Sequence, residues 1–141
     1  MLLMTVEMND TVRKLLDAPH PAVLTTLNPD GGPQSSVVWV IREGTDLLVS
    51  TERGRRKELN LLRDGRAGLT VFDLANPFLY VEIRGTATLT EDAGRAVTVR
   101  IAEKYLGPGG GEEYANAPAE NVRVIVRITP DKVLGNAAKA G

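Results

Sequence analysis

The amino-acid sequence predicts a mainly-β fold, an antiparallel barrel of six to seven strands with short helices at its flanks. Three observations indicate this fold. After an N-terminal helix the predicted elements follow the order βββ-α-ββ-α-β, with hairpins early in the chain. The helical segments are short, and several strands are apolar on both faces. A chain of 141 residues fits one domain, 1–141, with a core of its own.

The chain begins with a predicted helix at about 9–18, for which Asn9 or Asp10 supplies the capping oxygen. Three apolar residues share one side of this helix: Val12, Leu15 and Leu16. Pro19 and Pro21 end it. The start "MLLM" leaves open whether translation begins at Met1 or Met4.

Three strands follow, at 22–27, 34–42 and 46–51. The turn-rich "NPDGGP" (28–33) joins the first two as a hairpin. In 34–42 one face carries Val37, Trp39 and Ile41, and the other carries Ser36, Val38 and Val40. Because a barrel has only one interior, we expect the second apolar face to contact another copy of the chain in a homodimer.

The second half of the chain contains three further strands, two helices and a loop. A helix at about 54–64 is expected to turn Leu59 and Leu62 inward. Strands are predicted at 66–73, 79–90 and 121–129, the last with a short extension. A helix at about 92–106 aligns Val97, Ile101 and Tyr105. We expect a flexible loop at 107–118 and a flexible tail at about 135–141.

Composition excludes several function classes. The sequence has no cysteine and one histidine, His20, so thiol catalysis, cysteine-ligated metals and a Ser-His-Asp hydrolase are not expected, and neither is any metal site. A net charge of −1 gives no global attraction to nucleic acid or membrane. The run "GPGGGE" follows a helix and lacks dinucleotide-binding spacing. Without a signal peptide or membrane span, the expected location is cytoplasmic.

The segment "STERGRRKELN" (50–60) is the strongest functional signal. Arg55, Arg56 and Lys57 crowd the predicted start of a helix, where the dipole favours anions. Ser50 and Thr51 add hydroxyl groups at the end of the preceding strand. The residues fit either a solvated helix face or a phosphate-binding site for a small molecule, and the second interpretation is favoured. Trp39 fits either core packing or the wall of a site for a planar ligand.

Three segments carry a resemblance to a known family: "AVLTTLNPDGGPQSSVVWV", "LLVSTERGRRKELNLLRDGRAGLTVFD" and "VEIRGTATLTED". Together they resemble the FMN-binding split-barrel, or pyridoxamine-phosphate-oxidase-like, superfamily. The pattern is most similar to the oxidoreductases that use the deazaflavin coenzyme F420. This resemblance spans roughly residues 10–130 and implies a split β-barrel.

The resemblance also implies a set of cofactor-binding residues. Those expected at the phosphate are Ser50, Thr51, Arg55, Arg56, Lys57 and Asn60. Those expected along the flavin ring are Gln34, Ser35, Ser36, Val37 and Val38. In this family the cofactor lies at a homodimer interface, and the second subunit is expected to contribute the region of Phe78 and Tyr80. No catalytic residue is assigned.

The implied function is an F420-dependent oxidoreductase that transfers hydride from reduced deazaflavin to a conjugated acceptor such as an enone, quinone or tetrapyrrole. The longer anionic tail of F420, compared with the single phosphate of FMN, suits the surplus of cations in 53–63. The alternatives are an FMN-dependent oxidase or flavin reductase, and a non-catalytic flavin- or haem-binding carrier. The sequence lacks the C-terminal portion with which pyridoxamine-phosphate oxidases hold their substrate, so that activity is not expected.

Overall fold

The computed structural model describes residues 6–140. Its helices are α1 (Asp10–Asp17), α2 (Arg56–Arg63), α3 (Ala96–Leu106) and α4 (Glu112–Ala115), followed by a 3₁₀ helix at Asn136–Lys139. Its strands are β1 (Ala22–Leu27), β2 (Pro33–Val38), β3 (Ile41–Glu43), β4 (Asp46–Glu52), β5 (Arg66–Phe72), β6 (Tyr80–Glu91) and β7 (Arg123–Leu134). None of the helices in this part of the chain is long and apolar enough to cross a membrane.

All seven strands form one antiparallel sheet in the order β2-β1-β5-β6-β7-β4-β3. β2 and β3 lie at opposite edges of this sheet, yet only Trp39 and Val40 separate them in the chain. Two residues span about 11 Å at most between the strand ends. The sheet must therefore curl until its edges meet, which confirms the predicted mainly-β, antiparallel barrel-like fold.

This corner corrects one predicted strand. The sequence predicts a single strand over 34–42, but the structure breaks it at Trp39 and continues in β3 on the other edge. Val40 and Ile41 are buried, whereas Val37 is 71% exposed. The sequence does not show the break, because the apolar residues continue without interruption from Val37 to Ile41 although their exposure changes at the corner.

The concave side of the sheet holds the main core, which α1 closes from one end. Asn9 accepts a hydrogen bond from the backbone N–H of Val12 at 2.8 Å, so the predicted cap is confirmed. Val12, Leu15 and Leu16 are buried as predicted. They contact a core formed by alternate residues of the strands, which includes Leu24, Leu47, Val49, Leu69, Val71, Val81, Ile83, Val126 and Ile128.

The predicted inward face of α2 is wrong. Leu59 is 42% exposed and Leu62 is 62% exposed, while Leu61 is buried together with Glu58 and Asn60. Polar contacts set this orientation. The buried Glu58 carboxylate accepts a hydrogen bond from the backbone of Gly54 at 2.9 Å, and the Asn60 amide contacts β1 and the turn after it.

The loop 107–118 contains the short helix α4 and is tied to its surroundings. Arg95 precedes α3 with a left-handed backbone (φ 57°). Its guanidinium donates to the carbonyls of Tyr114, Ala117, Pro118 and Asn121. Gly111 lies directly against Val99 of α3, where a Cβ atom would come within 2.6 Å of the valine side chain. The loop is therefore anchored at several points, in contrast to the expected flexible segment.

The C-terminal part also differs from expectation. β7 runs to Leu134 in one strand, and the register with β6 shifts by one residue where Gly85 faces Pro130 and Arg84 faces Lys132. Asp131 is the extra residue of this bulge in β7. Residues 136–139, predicted as part of a flexible tail, form the 3₁₀ helix. Ala137 is fully buried, and its carbonyl accepts a hydrogen bond from the Asn9 side chain at 3.0 Å. Gly141 lies outside the described residues, as do Met1 and Met4.

Candidate functional site

A cavity of about 240 Å³ opens beside the corner where β2 passes into β3. Its walls come from β2, β4, α2, α3, α4 and β7. The lining residues are Val37, Val38, Trp39, Ser50, Thr51, Glu52, Arg55, Lys57, Thr98, Ile101, Ala102, Tyr114 and Arg123. One end of this cavity is cationic and the other is aromatic and apolar.

The cationic end combines Arg55, Lys57 and Arg123 with a single acid, Glu52. Arg55 lies 3.7 Å from the Glu52 carboxylate, and Arg123 lies 3.6 Å from it. Lys57 forms no ion pair within residues 6–140. Burial, and then the charges of Arg55 and Arg123, hold the pKa of Lys57 below its ordinary value. Two arginines share one carboxylate and Lys57 lies beside them, so an anion would stabilise this end of the cavity.

The start of α2 explains how these cations are tolerated. The N-cap position is Arg55, which provides no side-chain cap, and Gly54 precedes it with φ +92°. The buried Glu58 carboxylate occupies the first turn and accepts a hydrogen bond from the Gly54 N–H. An acid in the first turn offsets the helix dipole and the neighbouring positive charges. The basic side chains are thus left to face the cavity and the solvent.

Hydroxyl groups connect the cationic end to the interior. Arg123 Nε donates to Ser50 Oγ at 3.1 Å, and Ser50 Oγ lies 2.7 Å from Thr98 Oγ1. Thr98 Oγ1 and the Thr98 backbone N–H both donate to Asp92 at 2.8 Å. Asp92 therefore caps the first turn of α3, which begins at Ala96, four residues later than the sequence predicts.

The aromatic wall is built around Trp39. Its indole is stacked on Tyr105, with centroids 5.2 Å apart, and meets Tyr114 edge-on at 6.4 Å. The guanidinium of Arg123 lies 5.5 Å from the ring centre of Tyr114. Trp39 packs against a second, smaller core cluster formed by Ile41, Leu48, Ile101 and Ile125, and it also lines the cavity. Its contact with a planar ligand stays a prediction.

Six of the predicted cofactor-binding residues line this cavity: Val37, Val38, Ser50, Thr51, Arg55 and Lys57. Arg56, the first residue of α2, is exposed and is not a lining residue of the cavity. Asn60 is fully buried away from solvent, and its amide donates to Thr26 and Asn28 at 3.0 Å each. The structure thus gives Asn60 a contact that fixes α2 against β1.

The remaining predicted residues lie on β2, in the turn before β6 and at the first residue of β6. Gln34 accepts a hydrogen bond from Thr26 at 3.1 Å, and the Ser35 hydroxyl lies 2.8 Å from that of Thr25. Ser36 Oγ is buried and has no hydrogen-bond partner among the described residues. Phe78 is 84% exposed and Tyr80 is 39% exposed. None of these five is a lining residue of the cavity.

The sequence interpretation missed Arg123, Tyr114 and Thr98 as site residues. Arg123 lies opposite Glu52 in the β4–β7 register, and Thr98 lies in the first turn of α3. The only signal for Arg123 in the sequence is its place in the alternating strand "NVRVIVRIT", which gives a face but no neighbour. The pairing of two distant strands brings it to the cavity.

A second cavity, of about 410 Å³, lies on the outer face of the sheet. It is lined by Thr25, Leu27, Arg66, Ala67, Gly68, Thr70, Glu82, Arg84, Gly85, Asp131 and Lys132. Its floor consists mostly of small or neutral side chains, and charged side chains of both signs surround it. Nearby on the same face, Val37 of β2 pairs with Val23 of β1. This face is therefore weakly polar at its centre.

Comparison with known proteins identifies the family of the chain. The family model described as pyridoxamine 5'-phosphate oxidase matches residues 8–137. An F420H(2)-dependent biliverdin reductase from Mycobacterium tuberculosis (strain CDC 1551 / Oshkosh) is 30% identical over 135 residues, which cover 94% of this chain and 91% of that protein.

Solved structures give the same result. A structure described as F420 reductase superposes with a TM-score of 0.77 at 28% identity, covering 86% of this chain and 94% of that one. A conserved hypothetical protein from Mycobacterium tuberculosis superposes with a TM-score of 0.73 at 24% identity, covering 92% and 84%, and shares the fold. The resemblance found in the sequence is thereby confirmed, and the chain belongs to the pyridoxamine 5'-phosphate oxidase family.

Proposed function

We propose that this protein is an F420-dependent reductase that transfers hydride from reduced deazaflavin to a conjugated acceptor such as an enone, quinone or tetrapyrrole. One observation carries the proposal. A single cavity joins an aromatic and apolar wall, formed by Val38 and Trp39, to an end where Arg55 and Lys57 meet. A planar ring attached to an anionic tail has these two requirements. The relative described as an F420H(2)-dependent reductase and the structure described as F420 reductase support the same cofactor.

The residues present fit such a cofactor. The side chains of Arg55 and Lys57 supply positive charge, and the Thr51 hydroxyl lines the same end of the cavity. Burial, followed by the charges of Arg55 and Arg123, lowers the pKa of Lys57, and a phosphate beside it would favour its charged form. Arg56 is proposed to contact the more distant part of the anionic tail from the exposed side of α2.

The chemistry assigns little acid–base work to the protein. F420, when bound, supplies the hydride. The chain's own residues bind the tail, shape an apolar wall and exclude water from the ring. Gln34, Ser35 and Ser36 of β2 are proposed to contact the polar edge of the ring. The proton for the acceptor comes from solvent, from Ser36, whose hydroxyl has no partner among the described residues, or from Tyr80.

The proposed acceptor rests on the named relative and on the aromatic wall of the cavity. The reductase from Mycobacterium tuberculosis is named for biliverdin. A tetrapyrrole is therefore the first acceptor to test on this chain, ahead of enones and quinones. An extended planar acceptor also suits a site whose wall contains Trp39 and Tyr114.

A homodimer is part of the proposal. The outer sheet face around Val23 and Val37 is weakly polar, and Phe78 protrudes with 84% of its surface exposed. Burial of this face against a second copy would bring Phe78 and Tyr80 of the partner subunit toward the cofactor. Asn136 fixes this region, since it accepts from the Tyr80 N–H at 2.9 Å and donates to the Phe78 carbonyl at 2.6 Å. A cytoplasmic location stays a prediction.

Titration of the purified protein with F420 and with FMN tests the proposal, with cofactor fluorescence as the readout. We expect micromolar binding of F420 and no comparable binding of FMN, followed by oxidation of F420H₂ when biliverdin, a quinone or an enone is added. Tight co-purifying FMN would contradict the proposal in favour of a flavin oxidase or flavin reductase. Saturable cofactor binding without turnover of any acceptor would instead indicate a flavin- or haem-binding carrier.

A further inference from the structure

The side chain of Arg123 lies at the cationic end of the cavity and reaches the ring of Tyr114 in the aromatic wall. It is only 16% exposed, although it carries a permanent charge. Arg123 begins β7, pairs with Glu52 across the sheet and lies over the ring of Tyr114. Its Nε donates to Ser50 Oγ at 3.1 Å. These contacts hold the guanidinium from three sides and leave donors directed elsewhere.

The hydrogen bonds behind Arg123 have only one possible direction. The Asp92 carboxylate accepts from Thr98 Oγ1, so the Thr98 hydroxyl proton is used there. Thr98 must then accept from Ser50 Oγ, 2.7 Å away, which uses the Ser50 proton. Ser50 accepts in turn from Arg123. The result is one directed series from Arg123 through Ser50 and Thr98 to Asp92, in which Thr98 is only 3% exposed.

This direction changes the role expected of Ser50. Its proton is already donated to Thr98, so Ser50 has no donor left for a ligand while the series is intact. Arg123, by contrast, uses its Nε in the series and retains the N–H groups of its two terminal nitrogens. One of these lies 3.6 Å from Glu52, a distance longer than a hydrogen bond.

We propose that Arg123 is a third anion-binding residue of this cavity and that Ser50, Thr98 and Asp92 are positioning residues that orient its guanidinium toward a ligand phosphate. The proposal rests on the proposed function for the identity of the ligand, F420, but the anion site itself does not depend on it. Arg55 and Lys57 approach the same space from α2, while Arg123 approaches from the sheet. A phosphate held between them would be bound from both sides.

The experiment uses two ligands and the only tryptophan of the chain. Trp39 lines the cavity, so its fluorescence reports occupancy. Pyrophosphate is titrated to test the anion site alone, and F420 is titrated by its own fluorescence. The variants are Arg123→Gln, Thr98→Val and Thr98→Ser. Arg127→Gln is the matched control, because Arg127 lies on the same strand and pairs with Glu43 and Asp46.

We expect Arg123→Gln to raise the Kd of both ligands about tenfold or more and to make binding less sensitive to salt. Thr98→Val, which keeps the shape but removes the hydroxyl, is expected to raise both Kd values severalfold. Thr98→Ser and Arg127→Gln should stay within about twofold of the wild type. Thermal unfolding of each variant identifies any that does not fold. If Arg123→Gln does not fold, the Kd values of Thr98→Val and Thr98→Ser are compared instead.

The outcomes separate the two proposals. No saturable response of wild-type Trp39 to pyrophosphate, or equal Kd values for wild type and Arg123→Gln, would overturn the role of Arg123. Equal affinities for Thr98→Val and Thr98→Ser would overturn the positioning series. Pyrophosphate binding that depends on Arg123, together with no binding of F420, would support this inference and contradict the proposed function.

Discussion

The indole of Trp39 is stacked on the phenol ring of Tyr105, with centroids 5.2 Å apart and planes 10° from parallel. This contact joins the cavity wall to the helix α3 behind it. Tyr105 is itself held at its hydroxyl, which donates to the His20 carbonyl at 2.8 Å and accepts from the Val40 N–H at 3.1 Å. The orientation of the cavity wall therefore depends on a polar contact outside the cavity.

Removal of that hydroxyl is expected to destabilise the protein without removing the stacked ring. Tyr105→Phe leaves the Val40 N–H and the His20 carbonyl without their partner, which costs about 1–3 kcal/mol for buried groups. Urea unfolding followed by circular dichroism measures the loss. The Trp39 emission maximum should stay close to that of the wild type, because the ring remains. A variant as stable as the wild type would show that water replaces both contacts.

Lys104 gives the stability a distinct pH dependence. Its ammonium donates to the carbonyls of Leu16 and Val40 at 2.6 Å each, and burial lowers its pKa to about 8. The unfolded chain, in which lysine titrates near its ordinary value, binds more protons between these two pKa values. The free energy of unfolding should therefore rise from about pH 8 toward pH 10. Above about pH 10, the pKa of Tyr105, which burial raises, should lower the free energy of unfolding as the pH increases.

The variant Lys104→Met tests whether Lys104 causes this pH dependence, because only the slope of the unfolding free energy against pH is compared. We expect it to flatten the rise between pH 8 and 10, whatever its effect on absolute stability. The measurement is a set of urea unfolding curves at half-unit pH intervals. An unchanged slope in the variant would assign the pH dependence to other groups.

Alanine substitutions at two glycines, one in β6 and one in the turn after it, test the packing of the sheet backbone. A Cβ atom at Gly85 of β6, opposite the bulge of β7, would lie 2.3 Å from the backbone oxygen of Thr129, whereas one at Gly94 meets no atom within 4 Å. Because the obstacle at Gly85 is backbone, Gly85→Ala should lose about 2–4 kcal/mol of unfolding free energy. Gly94→Ala should change it by less than about 0.5 kcal/mol. Similar losses in both variants would contradict the bulge geometry.

The parts of the fold that the sequence predicted well have local causes. Helix α1 follows from a capping asparagine and three apolar residues on one side, and β6 follows from strict alternation. The inward face of α2 could not be predicted in the same way. Its orientation depends on Asn60 reaching Thr26 and Asn28, which lie more than thirty residues away, so apolar spacing alone pointed to Leu59 and Leu62.

The candidate site likewise combines residues that are close in the sequence with residues that only the fold brings together. Its cationic end is visible in the sequence because Thr51, Arg55 and Lys57 lie within one short segment. Arg123 and Thr98 reach the cavity only through strand pairing and helix packing, with Ser50 separated from them by 73 and 48 residues. The strand break at Trp39 also escaped prediction, since a corner inside an apolar run has no polar residue to mark it.

Lys57 should be a strong determinant of cofactor affinity. It has no ion pair within the described residues, and a phosphate between it and Arg55 would gain a charge-assisted contact. Lys57→Ala is therefore expected to weaken F420 binding by about 1.5–3 kcal/mol, measured by fluorescence titration. Lys14 is an exposed lysine of α1, so Lys14→Ala removes the same charge away from the cavity and should leave the affinity unchanged.

The stability of the free protein is the second control. Because burial and two neighbouring arginines destabilise the ammonium of Lys57, its removal should not lower the melting temperature of the free protein. Equal F420 affinity in the Lys57→Ala and Lys14→Ala variants would show that Lys57 is only a surface residue.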